Sequence, residues 1–433
     1  MAAAPTKARI RSYNVGFGDC FLLTFFYGDD ETRNILIDFG STKKSDFGPD
    51  GGMLEIAEKI GEHSGGKLEM VVATHRHADH ISGFGGKPGR VIAGLEPELV
   101  VQPWTENPDI APDARAPAPA SAGRGGAPAM VSRLADMQTV AAAVLAEIPV
   151  LEASPSVRKP IREQLSFLGE TNLANAAAVR NLMTMGRRQA VYASFGTQLP
   201  VADLIPGVGL QVLGPPTLEQ SATIARQRAR DPNEFWHLAG ASADATIQAG
   251  GDPPPLFPEF AISSDSIPQE ARWVIPEIER MRSEEMLAIV RSLDSALNNT
   301  SLILLFEVGD TRLLFPGDAQ IENWKYALSA APDHEAIRKR LAGASFYKVG
   351  HHGSLNATPK SLWKLFEHRG EKPAPGRLMT MVSTAAGKHG HVEDRTEVPR
   401  STLIDALTEL SDLHNTQALR SKTEFWNDVE FHF

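Results

Sequence analysis

The chain has 433 residues, enough for one large domain with insertions or for two ordinary ones, and its 42% hydrophobic and 22% charged residues fit a globular protein. No stretch reaches the roughly eighteen apolar residues that cross a bilayer, and the N-terminus lacks an apolar signal region, so an unanchored, cytoplasmic protein is expected. A formal charge of −10 argues against wholesale attraction to nucleic acid, leaving room only for a local basic cleft, and the single cysteine, Cys20, excludes an internal disulfide or a thiolate zinc finger.

In chain order, residues 8 to 39 read as paired strands: ARIRSYNVG and CFLLTFFYG are rich in β-branched and aromatic residues, the polar GDDETR turns, and NILIDFG returns as a short buried strand. Cys20 opens the second of these, where a small thiol packs as an apolar group. MLEIAEKIGEH, from Met53, has helical apolar spacing and stops before a Gly-Gly pair. LEMVVAT, Leu68 to Thr74, reads as a strand buried on both faces.

Two insertions are expected, at 105–189 and 217–297. The first contains a Pro/Ala/Gly-rich segment over 107 to 129, too poor in apolar bulk to hold a packed conformation, followed by alanine-rich helix. The second carries the helical ARWVIPEIERMRSEEMLAIVRSLDSAL, whose Ile278, Met281, Met286, Ile289, Val290 and Leu293 have core-like spacing. Between them, VYASFGTQLPVADLIPGVGLQVLGPP returns to strand and turn signals. The last third alternates: SLILLFEVG, TRLLFPGD, a helix from about Ala319, ASFYKVG, HHGS, another helix, RLMTMVSTA and GKHGHVEDR. This alternation predicts an α/β fold of layered sheets and helices in a single domain.

The chemistry is concentrated in THRHADHISG. With 13 histidines in the chain, a chance HxHxDH is expected in about one such sequence in a thousand, so the cluster points to metal binding. If the segment is extended, His75, His77 and Asp79 share one side and His80 is offset, so that His75 and His77 serve one ion while Asp79 and His80 serve a second. Imidazole and carboxylate without thiolate suit Zn²⁺ and tolerate Mn²⁺ or Fe²⁺. Further ligands are available where later strands end: Asp318 in LLFPGDAQ, His351 and His352 in YKVGHHGS, His389 and His391 in KHGH. Lys348, Lys388 and Arg395 lie near these motifs; they read either as phosphate-neutralising groups or as ordinary surface charge.

The order VGFGDC, ILIDFG, THRHADHISG, NNTSLILLFEVGDTRLLFPGDA, KVGHHGS and GHVEDR resembles the metallo-β-lactamase superfamily, most closely the branch typified by the hydrolase domain of the competence protein ComEC. The resemblance spans roughly residues 9 to 104, 190 to 216 and 298 to 415 and omits both insertions. It implies an αββα sandwich with two divalent metal ions, Zn²⁺ or Mn²⁺, at one sheet edge. His75, His77, Asp79 and His80 would be ligands, Asp318 a bridging carboxylate and one of His351 and His352 the last ligand, with His352 favoured for the metal and His351 for substrate or outer contact. Asp79 or Asp318 would orient the attacking water, and His351 or His391 would donate a proton to the substrate oxygen or hydrogen-bond it. Asp38 would support the histidine loop, with Asp19 in a similar part. The chain departs from the superfamily in having Asn298, Asn299, Thr300 and Ser301 where many members place a further histidine, and Val392 where the ComEC-like branch has proline after His391. Asparagine oxygen is a poorer zinc ligand than imidazole, so a weaker first site or a preference for Mn²⁺ follows.

The resemblance implies a metal-dependent hydrolase that uses a metal-bound hydroxide on a phosphodiester such as DNA or a nucleotide. A small-molecule ester or lactone hydrolase is the alternative, which the acidic balance favours slightly. A non-catalytic metal-binding module is the third reading, in which the insertions form a homodimer or partner-protein surface. No membrane partner is expected.

Overall fold

Strands β1 (Lys7–Tyr13), β2 (Cys20–Phe26) and β3 (Thr32–Phe39) pair antiparallel, as the opening sequence predicts. The computed structural model describes residues 4–28, 31–108, 176–225, 297–356, 358–372, 375–385 and 397–433, with 115–117, 161, 165, 283–284, 287 and 387. Beyond β3 the first sheet continues in parallel through β4 (Met70–Val72), β5 (Leu99–Pro103) and β6 (Val191–Ala193). Its other edge is closed by the C-terminal strand β13 (Trp426–His432), giving seven strands in the order β13-β1-β2-β3-β4-β5-β6. The second sheet has six, in the order β12-β11-β10-β9-β8-β7. These are β7 (Gly209–Gly214), β8 (Ile303–Val308), β9 (Thr311–Phe315), β10 (Phe346–Lys348), β11 (Met379–Val382) and β12 (Asp412–Asn415). From β9 to β12 all pairings are parallel.

Side-chain alternation makes this a layered sandwich. Phe21, Leu23, Phe25, Ile35, Ile37, Met70 and Val72 point from the first sheet toward Leu304, Phe306, Leu313, Phe315 and Phe346 of the second, forming the core between the sheets. The intervening residues Leu22, Leu36 and Val71 point the other way, onto Ile56, Ala57 and Ile60 of the helix Met53–His63. On the far side of the second sheet, Leu305, Leu314 and Tyr347 pack against helices His334–Ala342, Lys360–Leu365 and Ser401–Leu410. Strands buried on both faces read as continuous apolar runs, which is why β2, β4 and β5 carry few polar residues. Each buried Leu or Phe contributes about 1.5–3 kcal/mol of transfer free energy.

The α/β class and the strands expected in the first hundred residues and the last third are observed. The helix expected from about Ala319 is Ile321–Lys325, which widens into a π-turn over Tyr326–Ala330. The insertions at 105–189 and 217–297 lie mostly outside the described residues, including the Pro/Ala/Gly-rich segment and nearly all of the helix after Ala271. Within the first, helix Ala176–Thr184 places Ala178 and Leu182 on the outer core of the first sheet. No helix among the described residues is long and apolar enough to cross a membrane.

Candidate metal centre

Strands β3, β4, β9, β10 and β11 all end at the same edge of the sandwich; Asp38 is the penultimate residue of β3, toward that edge, and the loops that leave the other four carry the 73–80 segment, Asp318, His351 and His352, and Ser383. The edge beyond the carboxyl ends of parallel strands is where open α/β sheets bind their ligands. Here both sheets contribute to one place. Asp79, His80, Asp318 and His352 each offer a donor atom within 4.8 Å of the others, and all four are buried.

The first sheet positions His80 through Asp38. The Asp38 carboxylate accepts hydrogen bonds from the backbone N–H of Thr74 and from its hydroxyl, each at 2.7 Å, and lies 2.7 Å from Nδ1 of His80. Asp38 itself sits at φ 56°, a left-handed conformation that turns the end of β3 beneath the histidine loop. With Nδ1 engaged, Nε2 is the free face of His80, and it meets Oδ2 of Asp318 at 3.1 Å. Asp38 thus fixes the orientation of His80 as the resemblance implies, the role outer carboxylates play around metal-bound imidazoles.

Glycine makes the close approach possible. A Cβ on Gly40 would lie 2.5 Å from backbone atoms of Asp79 and His80, and Gly18 at φ 156° has Asp79 O within 2.6 Å of the same position. The backbone N–H of Asp19 donates to Asp79 O at 2.9 Å, tying the turn before β2 to the histidine loop.

The second sheet supplies Asp318 and His352. Asp318 is divided between two tasks: Oδ1 accepts from the backbone N–H of His351 at 2.9 Å and from Lys348 at 3.4 Å, while Oδ2 faces the imidazoles of His80 and of His352, the latter at 3.8 Å. His351 and His352 both adopt left-handed backbone, φ 43° and 52°. Two such residues in succession are costly for side chains with a Cβ, and the turn they make aims the His351 amide and the His352 ring at the same carboxylates. His352 is held by Ser383 O on Nδ1 and Asp79 Oδ2 on Nε2, both at 2.9 Å, with the Phe17 ring 4.5 Å away. His351 differs in being at the rim: 22% of its side chain is exposed, Nδ1 contacts Ser354 Oγ at 2.8 Å, and Nε2 is 3.9 Å from Asp318.

The extended, alternating geometry expected for the histidine motif does not hold throughout. The chain is extended at His77 and then turns into a short helix, Ala78–Ile81, so Asp79 and His80 diverge by helical rotation. His75 and His77 do share a side, with Nε2 of one 2.9 Å from Nδ1 of the other. Among the described residues, two adjacent buried groups could hold metal: Asp79/His80/Asp318/His352 and Asp19/Asp38/His80. They divide the residues differently from the expected pairing of His75 with His77 on a first ion.

The donor set fits a divalent metal. Ligand atoms around a tetrahedral ion at ~2.1 Å lie ~3.4 Å from one another, and the separations here, 2.9, 3.1 and 3.8 Å, bracket that value. Buried polar atoms nearly always find hydrogen-bond partners, yet Asp79 Oδ1, His80 Nε2 and Asp318 Oδ2 have none. Four buried carboxylates, Asp19, Asp38, Asp79 and Asp318, face one buried ammonium, Lys348, so the pocket is short of positive charge.

The titration behaviour expresses that shortage. Burial alone would lower His80 and His352, but carboxylates outweigh it: Asp318, Asp38 and Asp19 push His80 well up, and Asp19 and Asp318 lift His352 to about 10. Burial likewise opposes ionisation of Asp318 and Asp79, and the surrounding imidazoles, with Lys348 for Asp318, hold both below the usual carboxylate range. His75 goes the other way: burial, then its histidine neighbours His80 and His77, keep it well below the ordinary value and neutral, the form that ligates metal.

Two sequence readings change. Lys348 is neither solvated surface charge nor a free phosphate-binding group; it is buried and paired with Asp19 and Asp318. Asp19 is wholly buried in the site rather than merely near it, lying 3.4 Å from Nδ1 of His352. His391, with His389, Lys388 and Arg395, lies outside the described residues. Asn298, Asn299, Thr300 and Ser301 are fully buried beneath the centre, where Ser301 Oγ accepts from the Asp318 N–H at 3.2 Å. No family model matches the sequence, and no curated protein matches it significantly.

Proposed function

We propose that the chain is a metal-dependent hydrolase of the metallo-β-lactamase type, close to the ComEC-like branch, acting on a phosphodiester such as DNA or a nucleotide. The observation that carries this is the convergence of Asp79, His80, Asp318 and His352 from both sheets, with Asp79 Oδ1, His80 Nε2 and Asp318 Oδ2 buried and without hydrogen-bond partners. A bound divalent ion, Zn²⁺ or Mn²⁺, supplies Lewis acidity and lowers the pKa of water toward ~7. His80 and His352 would hold it through Nε2, Asp318 through Oδ2 and Asp79 through its carboxylate, while His75 and His77, outside both groups of converging donors, lie next to His80.

The chain's own residues define the rest of the chemistry. Asp79 and Asp318, kept ionised, can accept a proton from an attacking water. Asp38 keeps His80 facing inward by occupying its Nδ1. His351, partly exposed and beside Asp318, is the described histidine placed to hydrogen-bond a substrate oxygen. The fold is shared by many reactions, so the substrate class rests on the order of motifs, above all KVGHHGS following the GDTRLLFPGD strand.

The test is metal analysis of the purified protein followed by assay with Zn²⁺ or Mn²⁺ on bis-p-nitrophenyl phosphate, DNA and lactones. Cleavage of phosphodiesters alone is expected. Turnover of lactones alone would transfer the reading to a small-molecule ester hydrolase, and metal binding with no turnover of any substrate would overturn the enzymatic reading.

A further inference from the structure

Lys348 lies in the pocket, and the hydrolytic chemistry does not use it. Its side chain is 3% exposed, and its ammonium contacts Asp19 Oδ2, Gly317 O at 3.1 Å and Asp318 Oδ1 at 3.4 Å. Lysine is almost never fully buried unless paired, because removing an ammonium from water is costly. The pairing here is asymmetric in a way that bears on the metal.

We propose that Lys348 is a positioning residue of the metal centre: it fixes Asp318 through Oδ1, so that Oδ2 alone faces the ion, and it serves as the fixed cation of the Asp19 side of the pocket. This rests on the metal-centre reading given above.

Two observations support it independently. Asp318 is held on one oxygen only. The Lys348 ammonium and the His351 amide both approach Oδ1, whereas Oδ2 has no hydrogen-bond partner and lies against Nε2 of His80. A carboxylate with one oxygen tied cannot swing to chelate through both, so its mode of ligation is set by the protein. The second observation is the place of Asp19. It belongs with Asp38 and His80 to the second group of converging donors, and the Lys348 ammonium is already in contact with its Oδ2. A second ion at Asp19 would have to share that carboxylate with a fixed positive charge. Removing Lys348 alone would leave four carboxylates with no buried ammonium, whereas removing Lys348 and the charge of Asp19 together keeps the pocket's net charge unchanged.

The test compares the wild-type chain with Lys348→Met, with Asp19→Asn and with the double variant Asp19→Asn/Lys348→Met. Each is stripped with chelator, checked by circular dichroism, and titrated with Zn²⁺ by calorimetry and with Co²⁺ by visible absorption. The double variant guards against a single variant that fails to fold, and Asp19→Asn accounts for the loss of the Asp19 donor. We expect the double variant to fold, to bind Zn²⁺ about 10–100-fold more weakly than Asp19→Asn, and to give a Co²⁺ ligand-field spectrum shifted from that of Asp19→Asn because Asp318 is released. The affinity and spectrum of Asp19→Asn unchanged in the double variant would mean that Lys348 only balances Asp19, and would overturn the proposal while leaving the metal centre standing. Absence of binding by the wild-type chain would overturn both.

Discussion

Nδ1 of His80 lies 2.7 Å from Oδ2 of Asp38, a residue that ends the strand next to the one from which the histidine loop departs. The same carboxylate binds Thr74, so one side chain fixes both the start of the loop and the ring at its far end. Asp38→Ala should therefore weaken divalent-metal affinity about 10–100-fold, measured by competition with a chromogenic chelator. It should also cost at least about 2 kcal/mol of stability, because the Thr74 N–H and the His80 ring lose a buried partner. Unchanged affinity in a folded variant would remove Asp38 from the centre.

Metal removal should destabilise the fold. An ion that binds only the folded chain adds ~2.7 kcal/mol when present at a hundred times its dissociation constant. The thermal midpoint should accordingly fall in chelator and recover with Zn²⁺ or Mn²⁺ but not with Mg²⁺, which prefers oxygen ligands and retains its waters. Identical midpoints with and without Zn²⁺ and Mn²⁺ would count against a site at Asp79, His80, Asp318 and His352.

Gly40 is a steric requirement. Its missing Cβ leaves room for the backbone of Asp79 and His80, which would otherwise lie 2.5 Å away. Gly40→Ala should cost roughly 1–3 kcal/mol by overpacking and should lower metal affinity by displacing the turn that carries Asp79 and His80, two of the proposed ligands. Gly94→Ala has nothing within 4 Å of the new methyl and serves as the control, with affinity unaltered.

Far from the centre, His63 gives the fold a pH dependence. It packs between Tyr13, whose hydroxyl is 2.9 Å from Nδ1, and the Trp426 ring. Burial, with the nearby Arg11 guanidinium, lowers it to about 4 from an unfolded value of ~6.5. Below pH ~6.5 the unfolded chain takes up a proton that the folded chain refuses, so stability present above that pH is lost as the pH falls toward 4. Urea denaturation at pH 7 and pH 5 should show a larger loss for wild type than for His63→Gln. Parallel losses would assign the pH dependence to other groups.

Much of this was legible in the sequence because the signals are local. HxHxDH after an apolar strand, aspartate after TRLLFPG and HHGS after ASFYKVG each place, within a few residues of a strand end, a side chain that joins the converging group Asp79, His80, Asp318 and His352. What escaped depends on distant partners. Lys348 reads as a surface lysine until Asp19, near the other end of the chain, is placed against it. The edge strands β12 and β13 were not foreseen either. Asp412–Asn415 is a polar, half-buried run, and Trp426–His432 mixes charge with aromatics because its outer face pairs with β1, Asp428 with Arg11 and Glu430 with Arg9. Such cross-strand matches are meaningful only once the two strands are known to be neighbours. The helical turn at Ala78–Ile81 overrode the alternation expected of an extended segment, and four residues are too few for periodicity to reveal it.

The division of ligands between the sheets also sets an order of events in time. Asp79 and His80 are synthesised long before Asp318 and His352, and contacts so distant along the chain form late in folding. Ion capture would thereby be tied to the docking of one layer upon the other, and a seated ion would add a clasp to layers that meet through greasy surfaces and a few polar contacts, among them Lys348 with Asp19 and Ser383 Oγ with Gly18 O. Stopped-flow refolding with a metal-sensitive dye should show uptake lagging behind the recovery of secondary structure; simultaneous signals would mean that the first half of the chain can gather the ion unaided.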